Sequence, residues 1–262
     1  MTMAIDFAVS RRAMLRGAVL TLTGGVVHIL PGRAITATSV LSSAPSITGG
    51  AQLDLDDNAL VIPYGPADNN ATRDAIRNLL VNGRNAAPGN PAPWNGLGGI
   101  VSSYAHTNGN GSNLAIGYAD NAQLAIVSAS GSYTSFGGQA ASSSAILVQM
   151  TRGADANLDG NVDGQDVSII GTHFNKPDSG QWYFGDFDYS GMCDGADVSV
   201  LGSSFGKTSP TLSPAQLTAE FGSAFTTAFE AGASGASAVP EPTSAVILGL
   251  SSIALLRRRR QR

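Results

Sequence analysis

Two stretches align at an offset of 31 residues: DANLDGNVDGQDVSIIGTHFNK, Asp155–Lys176, and DFDYSGMCDGADVSVLGSSFGK, Asp186–Lys207. Matched pairs include Asp155/Asp186, Gly160/Gly191, Asp163/Asp194, Gly164/Gly195, Asp166/Asp197 and Phe174/Phe205. A repeat of this length marks a duplicated supersecondary unit. Within each copy, oxygen-bearing side chains recur at loop positions 1, 3, 5, 9 and 12. These are Asp155, Asn157, Asp159, Asp163 and Asp166 in the first loop, and Asp186, Asp188, Ser190, Asp194 and Asp197 in the second. Position 6 is glycine in both, where a cation loop turns sharply. Position 7, Asn161 or Met192, offers its backbone carbonyl, so its side chain is unrestricted.

This spacing asks for a cation. Two carboxylates ~5 Å apart repel by roughly 3 kcal/mol at an effective dielectric of 20. Each loop carries four acids and no Lys or Arg. Many hard oxygen donors without soft ones select calcium over zinc or copper, so two Ca2+ ions are expected. After each loop, Val167, Ile170 and Phe174, and likewise Val198, Leu201 and Phe205, fall at helical spacing. The pattern predicts two short helices packed antiparallel, with Val162 and Cys193 at position 8 turned inward.

Aspartate at position 12, in place of the usual EF-hand glutamate, makes residues 153–208 resemble a dockerin type I module. That resemblance implies a calcium loop followed by a single helix, twice over, and docking to a cohesin-like partner. Positions 10 and 11, Gly164-Gln165 and Gly195-Ala196, depart from the common Ser-Thr pair and weigh against cohesin.

The two ends read as addresses. SRRAMLR, Ser10–Arg16, precedes a modestly apolar stretch from Ala18 to Leu30, so residues 1–36 read as an export signal of twin-arginine or Sec type. The C-terminus, VPEPTSAVILGLSSIALLRRRRQR, sets Pro-Glu-Pro (240–242), an apolar run (243–256) and an Arg cluster in order. It resembles the PEP-CTERM sorting signal. That implies an exosortase-type membrane protease as partner, a transient membrane anchor, and a body at the cell surface or outside. The order of segments is similar to that of secreted planctomycete proteins.

Composition narrows the classes further. The chain has 262 residues, only 13% charged. Residues 37–240 hold 17 acidic against 6 basic side chains, which excludes nucleic acid as a partner of the body. A single cysteine excludes a disulfide scaffold. His28, His106 and His173 are scattered, and no nucleophile motif accompanies them. A glycosidase could draw on Asp54, Asp56, Asp57, Asp68, Asp74 or Asp120, but no paired Glu joins them. Trp94 reads as a core anchor before a sugar platform.

In residues 37–152, LDLDDNALVI suggests a hairpin turning at Asp57-Asn58. ATRDAIRNLLVNG suggests a helix capped by Asn70, buried through Ile76, Leu79 and Leu80, and ended by Gly83. Strands are expected near 113–119 and 145–151. The expected fold is α+β: a small β-rich N-terminal domain over 37–152, then an all-α dockerin-like pair of loop–helix units over 153–208. A helix and linker (209–238) and a hydrophobic tail helix (239–262) follow. The expected function is a non-enzymatic exported surface protein, or alternatively an accessory of polysaccharide binding or catabolism docking through the module.

Overall fold

The computed structural model describes residues 15–29, 38–68, 70–109 and 113–207. The expected tail helix, the linker and the Pro-Glu-Pro segment lie outside them.

The described residues open with three short strands in three different sheets. Strands β1 (Arg16–Ala18), β2 (Thr21–Leu22) and β3 (Val26–His28) are separated by corners. Then β4 (Ser39–Leu41), β5 (Ser46–Ile47) and β6 (Gln52–Asp54) retrace that course, each parallel to its predecessor. A third course starts with β7 (Ala59–Pro63) beside β4. After helix α1 (Ala71–Arg84) it ends with β8 (Gly99–Val101) beside β6. Stacking brings like onto like: Leu22 pairs with Ile47, and Leu53 lies between Val27 and Ile100. Leu20, Leu22, Leu41, Leu53, Leu60 and Ile62 fill the interior. The stretch read as an export signal therefore contributes three strands, and Leu20, Leu22 and Ile29 belong to the common core.

The expected hairpin at 53–62 is a corner instead. β6 and β7 lie in different sheets. Asp54 Oδ1 accepts the N–H of Asp56, which sits at φ 51°, and the chain is turned into the next wall rather than back on itself. Alternation of apolar residues shows that a strand is half-buried. It does not show which neighbour the strand will find.

Two antiparallel strands extend the first wall. β12 (Ala145–Arg152) pairs with β7, and β9 (Leu114–Asp120) pairs with β12, giving the order β1-β4-β7-β12-β9. Helix α2 (Ser103–Asn108) leads into β9, and α3 (Asn121–Val127) and the small ribbon of β10 (Ser135–Phe136) and β11 (Gln139–Ala140) run between β9 and β12. Helix α1 buries Ile76, Leu79 and Leu80 as its periodicity predicts. Its N-terminus is tied by Asp68, which accepts from the backbone and hydroxyl of Thr72, and not by the side chain of Asn70. The helix runs past Gly83 to Arg84 and ends at Asn85 in the left-handed region. Gly83 is needed for approach: a Cβ there would collide with the Ile100 carbonyl oxygen on β8.

The expectation of a separate all-α pair is overturned. The described region is mixed, with twelve strands and five helices. The repeat contributes α4 (Gly164–His173) and α5 (Gly195–Ser204) to the same compact unit as the strands. The cause is the aromatic segment between the loops. Trp182, Tyr183, Phe187 and Tyr189 are at most 6% exposed, far more apolar area than two ten-residue helices can cover. They pack on the β9–β12 face. Trp182 lies against Gly117, where a Cβ would come within 2.6 Å of the indole. Tyr189 donates its hydroxyl to the Ile116 carbonyl at 2.6 Å, and Tyr118 donates to Gln181 at 2.6 Å. The helical stripe also differs in detail. Ile170 and Leu201 are buried, but Val167, Phe174, Val198 and Phe205 are exposed.

Candidate metal centre

Each loop is built by the same local logic. The position-9 aspartates, Asp163 and Asp194, cap α4 and α5, accepting from Gln165 and Ala196 N–H at 2.8 Å. Asp166 and Asp197 at position 12 close a reciprocal capping box, accepting the N–H of Asp163 and Asp194 through Oδ2. Their Oδ1 atoms reach across the loop, Asp166 to Ala156 N–H and Asp197 to the N–H of Phe187 and Asp188. The short side chain at position 12 is thereby drawn into the loop, which a longer glutamate would overshoot.

The duplication is a structural two-fold. Gly206 N–H donates to the Val162 carbonyl at 2.8 Å, and Asn175 N–H donates to the Cys193 carbonyl at 2.8 Å. Both donors and both acceptors are 31 residues apart. Val162 and Cys193, the position-8 residues, are fully buried. Each loop is thus pinned to the end of the other loop's helix.

In the second loop, Asp186, Asp188 and Asp197 each place a carboxylate oxygen within 4.8 Å of the others, and all three are buried. In the first loop, Asp155, Asn157 and Asp166 occupy the same positions and are equally buried, with an amide in place of the middle acid. Asp159 is half-buried at the loop's edge and bonds Asn157 and Asn161. Ser190 and Met192 engage each other, the Ser190 hydroxyl donating to the Met192 carbonyl at 3.1 Å. Asn161, Ser190 and Met192 lie on the exposed rim.

Burial dominates the electrostatics of these acids. It pushes Asp166 up to about 6 and Asp197 up to about 7, from an ordinary 3.8. Burial likewise raises Asp155 and Asp186. Neighbouring acids add to the effect in both loops. The donor set is all oxygen, pre-gathered and short of counter-charge, which suits a hard divalent cation.

The position-1 carboxylates are held from outside their loops, by residues that spacing alone does not reveal. Asp155 Oδ2 accepts from the Thr151 hydroxyl on β12 and from Gly160 N–H. Asp186 Oδ2 accepts from Arg77 Nη2 on α1 at 2.9 Å and from Gly191 N–H at 3.0 Å. Asp188 Oδ2 accepts from Gly89 N–H at 2.6 Å. One signal was available: Arg73, Arg77 and Arg84 all lie on α1, in a body otherwise poor in bases.

The remaining candidate acids and histidines make these contacts within the fold. Asp54 bonds His28 at 2.9 Å and accepts from Ser103 N–H. His106 bonds the Pro93 carbonyl, and His173 stacks on Phe184. Asp120 accepts from Tyr64, and Asp74 pairs with Arg73. Trp94 is 1% exposed and offers no stacking face to a sugar.

No known family model, curated protein or solved structure matches the chain.

Proposed function

We propose that the two loops bind calcium, one ion each, and that the ions hold the repeat against the sheet in a non-enzymatic protein exported to the cell surface. The observation that carries the calcium reading is the duplicated set of buried carboxylates. Asp155 and Asp166, and Asp186, Asp188 and Asp197, are gathered by matching hydrogen bonds in two copies. The ligands are Asp155, Asn157, Asp159, the Asn161 carbonyl, Asp163 and Asp166 in one loop. In the other they are Asp186, Asp188, Ser190, the Met192 carbonyl, Asp194 and Asp197. Export and processing by an exosortase-type protease rest on the Pro-Glu-Pro, apolar and Arg-rich order of the C-terminal segment and on the Arg11-Arg12 pair, since residues 16–29 are part of the fold.

A docking role, to a protein or a surface polysaccharide, is the second reading. It is favoured by four exposed apolar side chains in two-fold pairs, Val167 with Val198 and Phe174 with Phe205.

Thermal unfolding of the full chain, followed by circular dichroism in calcium and in chelator, tests the calcium reading. A clear rise in midpoint with calcium is expected, because a ligand that binds only the folded state stabilises it. Identical midpoints would refute the reading.

A further inference from the structure

We propose that the two loops are unequal cation sites, the second weaker than the first, and that Arg77 on α1 is the positioning residue that makes them so. The inference rests on the calcium reading above and goes beyond it by ranking the sites.

The two loops have equal formal charge, four acids each. They differ in what orients position 1. In both, Oδ2 of the aspartate accepts a backbone N–H from the position-6 glycine and one side-chain donor, while Oδ1 turns into the loop, accepting the Asp159 N–H at 3.1 Å in the first and the Ser190 hydroxyl at 3.5 Å in the second. In the first loop the side-chain donor to Oδ2 is the neutral Thr151 hydroxyl. In the second it is the Arg77 guanidinium.

Arg77 is not a surface partner free to swing away. Its Nε donates to the Gly180 carbonyl at 3.1 Å and its Nη2 also donates to the Tyr189 carbonyl at 3.1 Å. The guanidinium lies 5.9 Å from the centre of the Tyr189 ring, and the side chain is only 20% exposed. Two helical turns on, Arg84 is buried and holds the carbonyls of Ala86, Ala87 and Asn90. That segment includes Gly89, whose N–H binds Asp188. Helix α1 and the turn after it therefore address positions 1 and 3 of the second loop, with a fixed positive charge one bond from a ligand carboxylate. A cation entering there meets repulsion that its counterpart in the first loop does not.

The test is calorimetric calcium titration of the full chain and two variants. The native chain should show two steps of different affinity. Asp188→Asn should weaken the weaker step and spare the tighter one. Arg77→Gln keeps a hydrogen-bond donor but removes the charge. It should tighten the weaker step at least about tenfold, the floor set by repulsion between a divalent and a monovalent cation ~5 Å apart at the dielectric of water. The tighter step should not move.

Two equal steps, loss of the tighter step in Asp188→Asn, or an unchanged or weakened second step in Arg77→Gln would each overturn the inference and leave the calcium reading standing. No calcium uptake by the native chain would overturn the calcium reading itself. Should Arg77→Gln fail to fold, the native titration and Asp188→Asn still decide.

Discussion

Asp166 and Asp197 each close a capping box and brace the loop, and on the calcium reading proposed above they also serve as cation ligands. Burial raises them to about 6 and about 7 in the folded chain, against an ordinary 3.8. A carboxyl with a raised folded pKa binds its proton more tightly folded than unfolded. Its contribution to stability is therefore full below about pH 4 and is lost as pH rises through 6 to 7. The calcium-free chain should be less stable to urea at pH 8 than at pH 5. Calcium binds the ionised form, so saturating calcium should reverse that order. Urea midpoints at both pH values, with and without the ion, check this. Replacing Asp197 by Ala should remove one calcium step and cost about 1 kcal/mol by opening the capping box with Asp194, read from calcium-free urea titrations. The gathering of the buried loop acids was legible in the sequence because their spacing is local and repeated. Arg77 was not, since its bond to Asp186 joins residues 109 positions apart; Thr151 is close in sequence to Asp155 but sits in the strand before the loop, outside the repeated pattern.

At the scale of elements, the helices α4 and α5 have ten residues each and would be marginal alone. Their anchor is Trp182, which packs on Gly117 and donates its indole N–H to the Asp155 carbonyl at 2.7 Å. Trp182→Ala should cost about 3–5 kcal/mol, and Gly117→Ala about 1–3 kcal/mol by overpacking. Phe174→Ser and Phe205→Ser should stay within about 0.5 kcal/mol, as exposed positions do. Thermal melts of the four variants give the ranking, and a large loss at Phe205 would contradict the observed packing. The periodic signal found α1, β9, β12, α4 and α5. It misassigned the exposed Phe174 and Phe205 because a helical stripe names a face without naming what covers it. It also joined β6 to β7 as a hairpin, since a corner and a hairpin share the same turn residues.

For the molecule as a whole, the division into a β-rich domain and an all-helical module fails because the aromatic side chains between the loops belong to both. One core runs from Leu20 to Leu201. That continuity has a consequence at the N-terminus. A chain lacking residues 1–36 loses Leu20, Leu22 and Ile29 along with the partners of β4, β5 and β6. It should melt below the full chain, and equal melting would contradict a place for β1–β3 in the fold. Continuity also makes the full chain the right object for the decisive measurement, because the loops share their supports with α1 and β12. Equilibrium dialysis of the full chain against calcium at neutral pH should show two ions bound per chain. Asp155→Asn combined with Asp186→Asn should abolish both. A native chain that takes up none would contradict the account at its centre.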